Sequence, residues 1–188
     1  MMTPRERWLA LLSGERPDRI PTDYWATDEV TRRLQRELNC PTPEALFEKL
    51  HIDRPAFVAA PRTIHRHPDI PDANIWGVRT RSVNYGSGSY DEAVSHPLAH
   101  MTTVHEIHAF AWPQPDDHDF EALRAQIRRL DGKRIVHCSG YEPFLLYSQM
   151  RGMEQAMMDL ILEPDMADAI LQHIFDYFYR LNARMFEI

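Results

Sequence analysis

The sequence predicts an α/β chain, a partial (β/α)8 TIM barrel made of first strands and helices with a β-hairpin excursion. Three observations predict it. Short runs rich in β-branched or aromatic residues, at 20–25, 56–60 and 134–138, are each followed by segments whose apolar residues recur every three or four positions. Residues 76–94 break that rhythm and alternate instead around a Gly86-Ser87-Gly88 turn, as a hairpin does. In the run 134–165 a strand, a glycine turn and a long apolar helical region follow one another directly. There Gly140 gives the backbone freedom for a sharp turn, and Pro143 suits a first helical turn, where its missing N–H costs nothing.

Composition narrows the classes. With 188 residues and 44% hydrophobic content the chain can bury one sizeable core, so residues 1–188 are expected to form one domain or part of one. The net charge is −7 with acids and bases interleaved, leaving no basic stripe for phosphates; nucleic acid is excluded as the main partner. No apolar run approaches a membrane span, and the start M-M-T-P-R-E-R-W lacks the apolar core of a signal peptide. Two cysteines, Cys40 and Cys138, suggest no disulfide framework, so a reducing cytoplasm is expected.

The elements follow in order. Thr3-Pro4-Arg5-Glu6 has the layout of a capping box with proline at the first helical position, and Gly14 stands where a helix would end, giving a helix over 4–13. Residues 20–25 read as a first strand. Val30, Leu34 and Leu38 recur at i, i+4, i+8, giving a helix to about residue 39. Thr42-Pro43 opens a second capped helix with Leu46, Phe47 and Leu50 turned inward, and 56–60 follows as a strand. After the hairpin (76–83 with 89–94), a box from Thr103 to Glu106 starts a short helix. Phe120, Leu123, Ile127 and Leu130 mark another, ended by Gly132. The strand 134–138 precedes the Met-rich helical stretch 150–162, read as adaptable core. In a last helix from Pro164, Leu171, Ile174, Phe178, Leu181 and Met185 form one apolar seam. Three parallel-type strands fall short of the eight units and typically about 250 residues of a full barrel, so the chain reads as the front part of a larger protein.

Barrels and open α/β sheets put chemistry at the C-terminal ends of strands. Asp23, Tyr24 and Trp25 end the first expected strand; His137, Cys138, Tyr141 and Glu142 end the last. Glu142, His137 and Asp23 are the catalytic candidates, as proton donors or acceptors. Tyr24, Trp25, Tyr141 and Cys138 are the substrate-binding candidates. His137 and Cys138 could form a thiol–imidazole pair, with packing as the plainer alternative; neighbouring strand residues face opposite ways and could not easily share one metal. Glu142 could equally serve the dipole of its helix. His65-x-His67 and His105-x-x-His108 have ligand-like spacing but no Cys, Asp or Glu constellation accompanies them at zinc-site spacing, and they read as surface histidines. Arg151 is expected to pair with Glu154 or Asp159. No metal site is expected within the chain.

Several motifs occur in a familiar order. They are the opening T-P-R-E-R-W-L-A-L-L-S-G-E-R-P-D-R-I-P, the hairpin run Tyr90-Asp91-Glu92-Ala93-Val94, and His96-Pro97-Leu98-Ala99. Trp112-Pro113 and Gly140-x-x-Pro143-Phe144…Met150-Arg151-Gly152-x-Glu154…Asp159-Leu160…Glu163-Pro164 complete the set. In these the chain resembles the N-terminal portion of the uroporphyrinogen decarboxylase-like superfamily. The resemblance implies a TIM barrel. It also implies one of two activities: cofactor-free tetrapyrrole carboxy-lyase chemistry, or zinc-dependent methyl transfer between corrinoid proteins and thiols or other acceptors. The family's decarboxylases carry Arg-Gln-Ala-Gly-Arg after the first strand, whose arginines grip substrate carboxylates. Here that stretch is Trp25-Ala26-Thr27-Asp28-Glu29, acidic instead of basic. The expected function is therefore that of the corrinoid-linked methyltransferase-like or uncharacterised branch, with a divergent decarboxylase as the alternative. A non-catalytic half-barrel that binds a partner is the alternative of another class. Zinc and a corrinoid are implied for the complete protein, with ligands beyond residue 188. The expected partners are a small-molecule or corrinoid-protein substrate and a second copy in a homodimer.

Overall fold

The computed structural model describes residues 1–138 and 142–188. Among these the helices are α1 (Pro4–Leu12), α2 (Asp28–Glu37), α3 (Pro43–Lys49), α4 (Val104–Ala109), α5 (Phe120–Leu130), α6 (Pro143–Arg151), α7 (Met153–Leu162) and α8 (Pro164–Phe186). The strands are β1 (Ala56–Phe57), β2 (Arg79–Asn84), β3 (Ser89–Ser95) and β4 (Val136–His137), and a 3-10 turn spans Pro115–Asp117. The strands form two two-stranded sheets, β1 with β4 in parallel and β2 with β3 antiparallel.

This overturns the partial barrel: the chain is α-rich with little sheet. Residues 20–25 form no strand. Pro21 has no N–H to give a ladder, and Thr22 spends its backbone groups on Asp53, donating to Oδ2 at 3.1 Å and accepting the Asp53 N–H at 2.9 Å. The runs 56–60 and 134–138 pair only at Ala56 with Val136 and Phe57 with His137, and one more bond from Val58 N–H to the His137 carbonyl closes the ladder. Barrel strands are covered on both faces, whereas Phe57 here is 57% exposed and Val136 and His137 are exposed too.

The described residues divide into two compact units. One comprises Met1–Ala59 and the segment beginning at Leu123. In it α1 starts on the expected capping box: Thr3 Oγ1 accepts the Glu6 N–H, and the Glu6 carboxylate accepts the Thr3 N–H at 2.7 Å. Leu46 and Phe47 of α3 are buried, as are Ala10, Val58 and Leu123, while α2 buries no residue. The firmest anchor is ionic. Arg7 donates to Asp18 at 2.6 Å and to Asp53 at 2.9 Å, and Arg19 also pairs with Asp53. Trp8 Nε1–H adds a bond to the Asp53 carbonyl at 2.6 Å. Burial pushes the Asp53 carboxyl up, but Arg19, the Thr22 N–H and Arg7 outweigh it and hold it below the usual carboxylate range. Arg7 holds Asp18 down to about 2.

The second unit comprises Ala60–Ala122 and the segment ending at Ile188. The hairpin forms as the alternation predicts, and α4 starts on the expected Thr103–Glu106 box. Met166, Ala167, Ile170, Ile174, Tyr177, Phe178, Leu181 and Met185 of α8 are buried, a stripe that advances by three and four residues with neighbours at 166/167 and 177/178, while Leu171 of the expected seam is half-buried. Trp76, itself buried, meets Tyr177 edge-on at 4.9 Å and stacks on Phe178 at 5.9 Å between ring centres. Gly77 has a φ of +78°, and a Cβ there would lie 3.0 Å from Ile70 Cδ1 and from Phe110 Cζ, so only glycine fits. Gly152, at φ +86°, separates α6 from α7.

Arg151 pairs with Asp159 at 2.6 Å, one of the two partners its spacing predicts. Its Nη1 donates further to the Leu98 carbonyl at 2.5 Å and the Met101 carbonyl at 2.8 Å, while Gln155 donates to the other Asp159 oxygen at 2.6 Å. Arg151 and Asp159 are both buried. The Met-rich stretch departs from expectation: only Met150 is buried, and Met153, Met157 and Met158 are exposed. Among the described residues, no helix is long and apolar enough to cross a membrane.

Candidate functional site

Within the first unit, the described candidates at the two expected strand ends share no bond. Asp23 is exposed, accepts the Tyr24 N–H at 2.7 Å and stands 3.9 Å from Arg54 Nε. Tyr24 is half-buried against the Phe47 ring (5.2 Å between centres), with its hydroxyl 3.0 Å from Thr31 Oγ1. Trp25 is 96% exposed. His137 is exposed on β4, tilted toward the Phe57 ring. Cys138 is half-buried, and burial pushes its thiol up, away from the thiolate a nucleophile needs. Glu142 is exposed at the N-terminal end of α6 and makes no side-chain capping bond. Tyr141 lies outside the described residues. Among the described residues, no hydrogen bond, ion pair or ring contact joins Asp23, Tyr24 or Trp25 to His137 or Cys138.

Metal chemistry finds no donor set either. Among the described residues no group of three or more His, Cys, Asp or Glu side chains could hold an ion. His137 and Cys138 therefore do not make up a zinc donor set. Cys40 and Cys138 are both free.

The second unit holds a different constellation. A cavity of about 190 Å³ is lined by Arg62, Ile64, Arg66, Ile75, Trp112 and Pro113, with Asp117, His118 and Tyr177 among its polar groups. His118 is fixed at both ring nitrogens: Nδ1 lies 2.8 Å from the Ala60 carbonyl and Nε2 lies 2.8 Å from the Tyr177 hydroxyl. A carbonyl only accepts, so Nδ1 carries the proton and Nε2 accepts from Tyr177. Burial pushes the His118 imidazole below its ordinary value, keeping it neutral, and pushes the Tyr177 phenol up, against Arg62, which draws it back. The 3-10 turn Pro115–Asp117 and the antiparallel bridge from Arg62 to His118 set these groups in place.

A neighbouring histidine pair also escaped sequence reasoning. His108 Nδ1 lies 2.9 Å from His173 Nε2, and Trp112 stacks on His173 at 4.5 Å, 9° from parallel. The spacing His105-x-x-His108 drew attention to the wrong partner, because the real one is 65 residues away. Residues 118 and 177 are likewise too far apart in sequence for any spacing rule to join them, and the apolar seam expected for α8 did not include Tyr177. Comparison of the chain with protein-family models, curated proteins and solved structures finds no match.

Proposed function

We propose that this chain is part of a cytoplasmic enzyme of the uroporphyrinogen decarboxylase-like kind, on its corrinoid-linked methyltransferase side. The whole protein would move a methyl group between a corrinoid and an acceptor. One observation carries the reading. Two of the stretches that carry the resemblance, His96-Pro97-Leu98-Ala99 and Met150-Arg151-Gly152…Asp159, are fastened together by Arg151, which reaches the Leu98 carbonyl and Asp159 at once. Motif residues that hold a buried frame are what a shared ancestry would keep. The reading rests on motif order, not on strand count.

The test is to read the coding frame through codon 188, express the whole product and assay it with methylcobalamin and a small thiol. Expected are a downstream His-x-Cys and Cys, about one zinc per chain, and methylated thiol as product. A frame without those ligands, or a zinc-free product that leaves methylcobalamin intact, would overturn the proposal. A second reading, a self-associating binding module, is favoured by α7, where Met153, Met157, Leu160, Ile161 and Leu162 are all exposed. Sedimentation of the 188-residue chain tests it: a monomer at all concentrations removes this reading.

A further inference from the structure

We propose that the cavity beside His118 and Tyr177 is a binding site for a small, rigid, ring-bearing carboxylate. The proposal is independent of the methyl-transfer reading and uses only residues of the second unit. At about 190 Å³ the space is below the usual range for drug-sized ligands and suits a single ring with one charged group. Ile64, Ile75, Pro68, Trp112 and Pro113 give it apolar walls. Those walls are stiff: Ile75 and Tyr177 are buried, and Trp112 is pinned by its Nε1–H bond to the Ile107 carbonyl at 2.8 Å and by His173 stacked on it. A rigid ligand loses least on entering a rigid slot.

The polar groups decide the sign of the ligand's charge. His118 and Tyr177 satisfy each other, and His118 Nδ1–H is spent on Ala60. Neither ring has a proton left for a ligand. The remaining donors are the guanidiniums of Arg66 and of Arg62, the latter lying against the Tyr177 hydroxyl, and the neutral Gln114 amide, which already donates to the Trp112 carbonyl at 3.1 Å. Arg66 makes only a long, exposed ion pair with Asp72, at 3.5 Å. Asp117 is the single carboxylate in the lining, and it is turned to the Gln114 N–H at 3.4 Å. Two guanidiniums against one engaged carboxylate favour an anion, and the guanidinium fork matches the two oxygens of a carboxylate.

The experiment titrates the full chain with benzoate, benzyl alcohol and benzylamine, following tryptophan fluorescence; Trp112 lines the cavity and Trp76 packs on Tyr177. Expected is saturable quenching by benzoate at least tenfold tighter than by benzyl alcohol, and weaker still for benzylamine. Arg66→Gln, at an exposed position, should weaken benzoate tenfold or more without moving the urea midpoint, while Arg81→Gln on the hairpin leaves it unchanged. Arg62→Gln should weaken benzoate as well, with some loss of stability because Arg62 lies against the Tyr177 hydroxyl. Equal binding of benzoate and benzyl alcohol, tighter binding of benzylamine, no binding, or affinity indifferent to both arginines would overturn the proposal.

Discussion

The two units solve the same problem with different chemistry. The first is held at its entry by charges: Arg7, Arg19, Asp18 and Asp53 tie α1 to the loop before β1, in place of the ladder that residues 20–25 do not form. The second is held by rings and aliphatic side chains packed on α8, with neutral histidines inside and one buried ion pair, Arg151–Asp159. An ionic clasp can be shared among several partners, so the loss of one is partly absorbed. In the second unit Asp159 has a single cationic partner, and removing Arg151 strands its charge away from water with only the neutral Gln155 amide left to bond it.

The sharpest way to break this contrast is to cut both clasps. Arg151→Met should cost about 3–5 kcal/mol, since Asp159 and the Leu98 and Met101 carbonyls all lose their donor. Asp53→Asn should cost about 2 kcal/mol, because Arg7 keeps Asp18 and Arg19 is partly exposed. Urea unfolding of chains labelled with 5-fluorotryptophan checks this, with Trp76 and Trp112 reporting the second unit and Trp8 the first. Equal losses would remove the distinction. Gly77→Ala comes next, at about 2 kcal/mol: the left-handed backbone strains any side chain, and the new methyl meets Ile70 and Phe110 at 3.0 Å. Its fluorine signature should appear at Trp76.

Acid should separate the units. Burial holds His67, His118 and His173 below their ordinary value of 6.5, so below that pH the unfolded chain binds more protons than the folded one. Their contribution to the second unit is full above pH 6.5 and is lost as the pH falls through it toward the folded values. In the first unit Asp18, held down to about 2 from 3.8, keeps its contribution until the pH falls below 3.8, and Asp53 shifts the same way. Fluorine spectra in urea at pH 7.5 and pH 5 should therefore show Trp76 and Trp112 weakening while Trp8 holds; the reverse order would refute the account. The smallest effect is Trp25→Ser, within about 0.5 kcal/mol, since that ring is solvent-exposed.

Local signals in the sequence were legible where local physics decides. The capping boxes at Thr3 and Thr103, the hairpin, the α8 seam and the Arg151–Asp159 pair all follow from spacing within one element or its neighbours. The barrel was not. Runs such as 20–25 and 134–138 have strand-like composition, but a strand exists only where a partner presents its backbone, and Asp53 captured Thr22 first. Met153, Met157 and Met158 read as core because hydropathy cannot tell a covered face from an open one. Of the described candidates in the first unit, those at 23–25 share no bond with those at 137–138, and the cavity at His118 is built from residues 62, 112, 118 and 177, whose proximity no pattern in the sequence announces.

The placement of α8 has a consequence for how the chain leaves the ribosome. The first unit has its last strand once His137 has emerged, and its helices and short ladder form in microseconds. The second unit must wait for α8, which ends at Phe186 and carries much of its buried surface. At roughly 5–20 residues per second that is a delay of a few seconds. Through that interval Trp76 and Ile107 stand without the helix that covers them, and a nascent chain stalled near residue 150 would present that surface to chaperones.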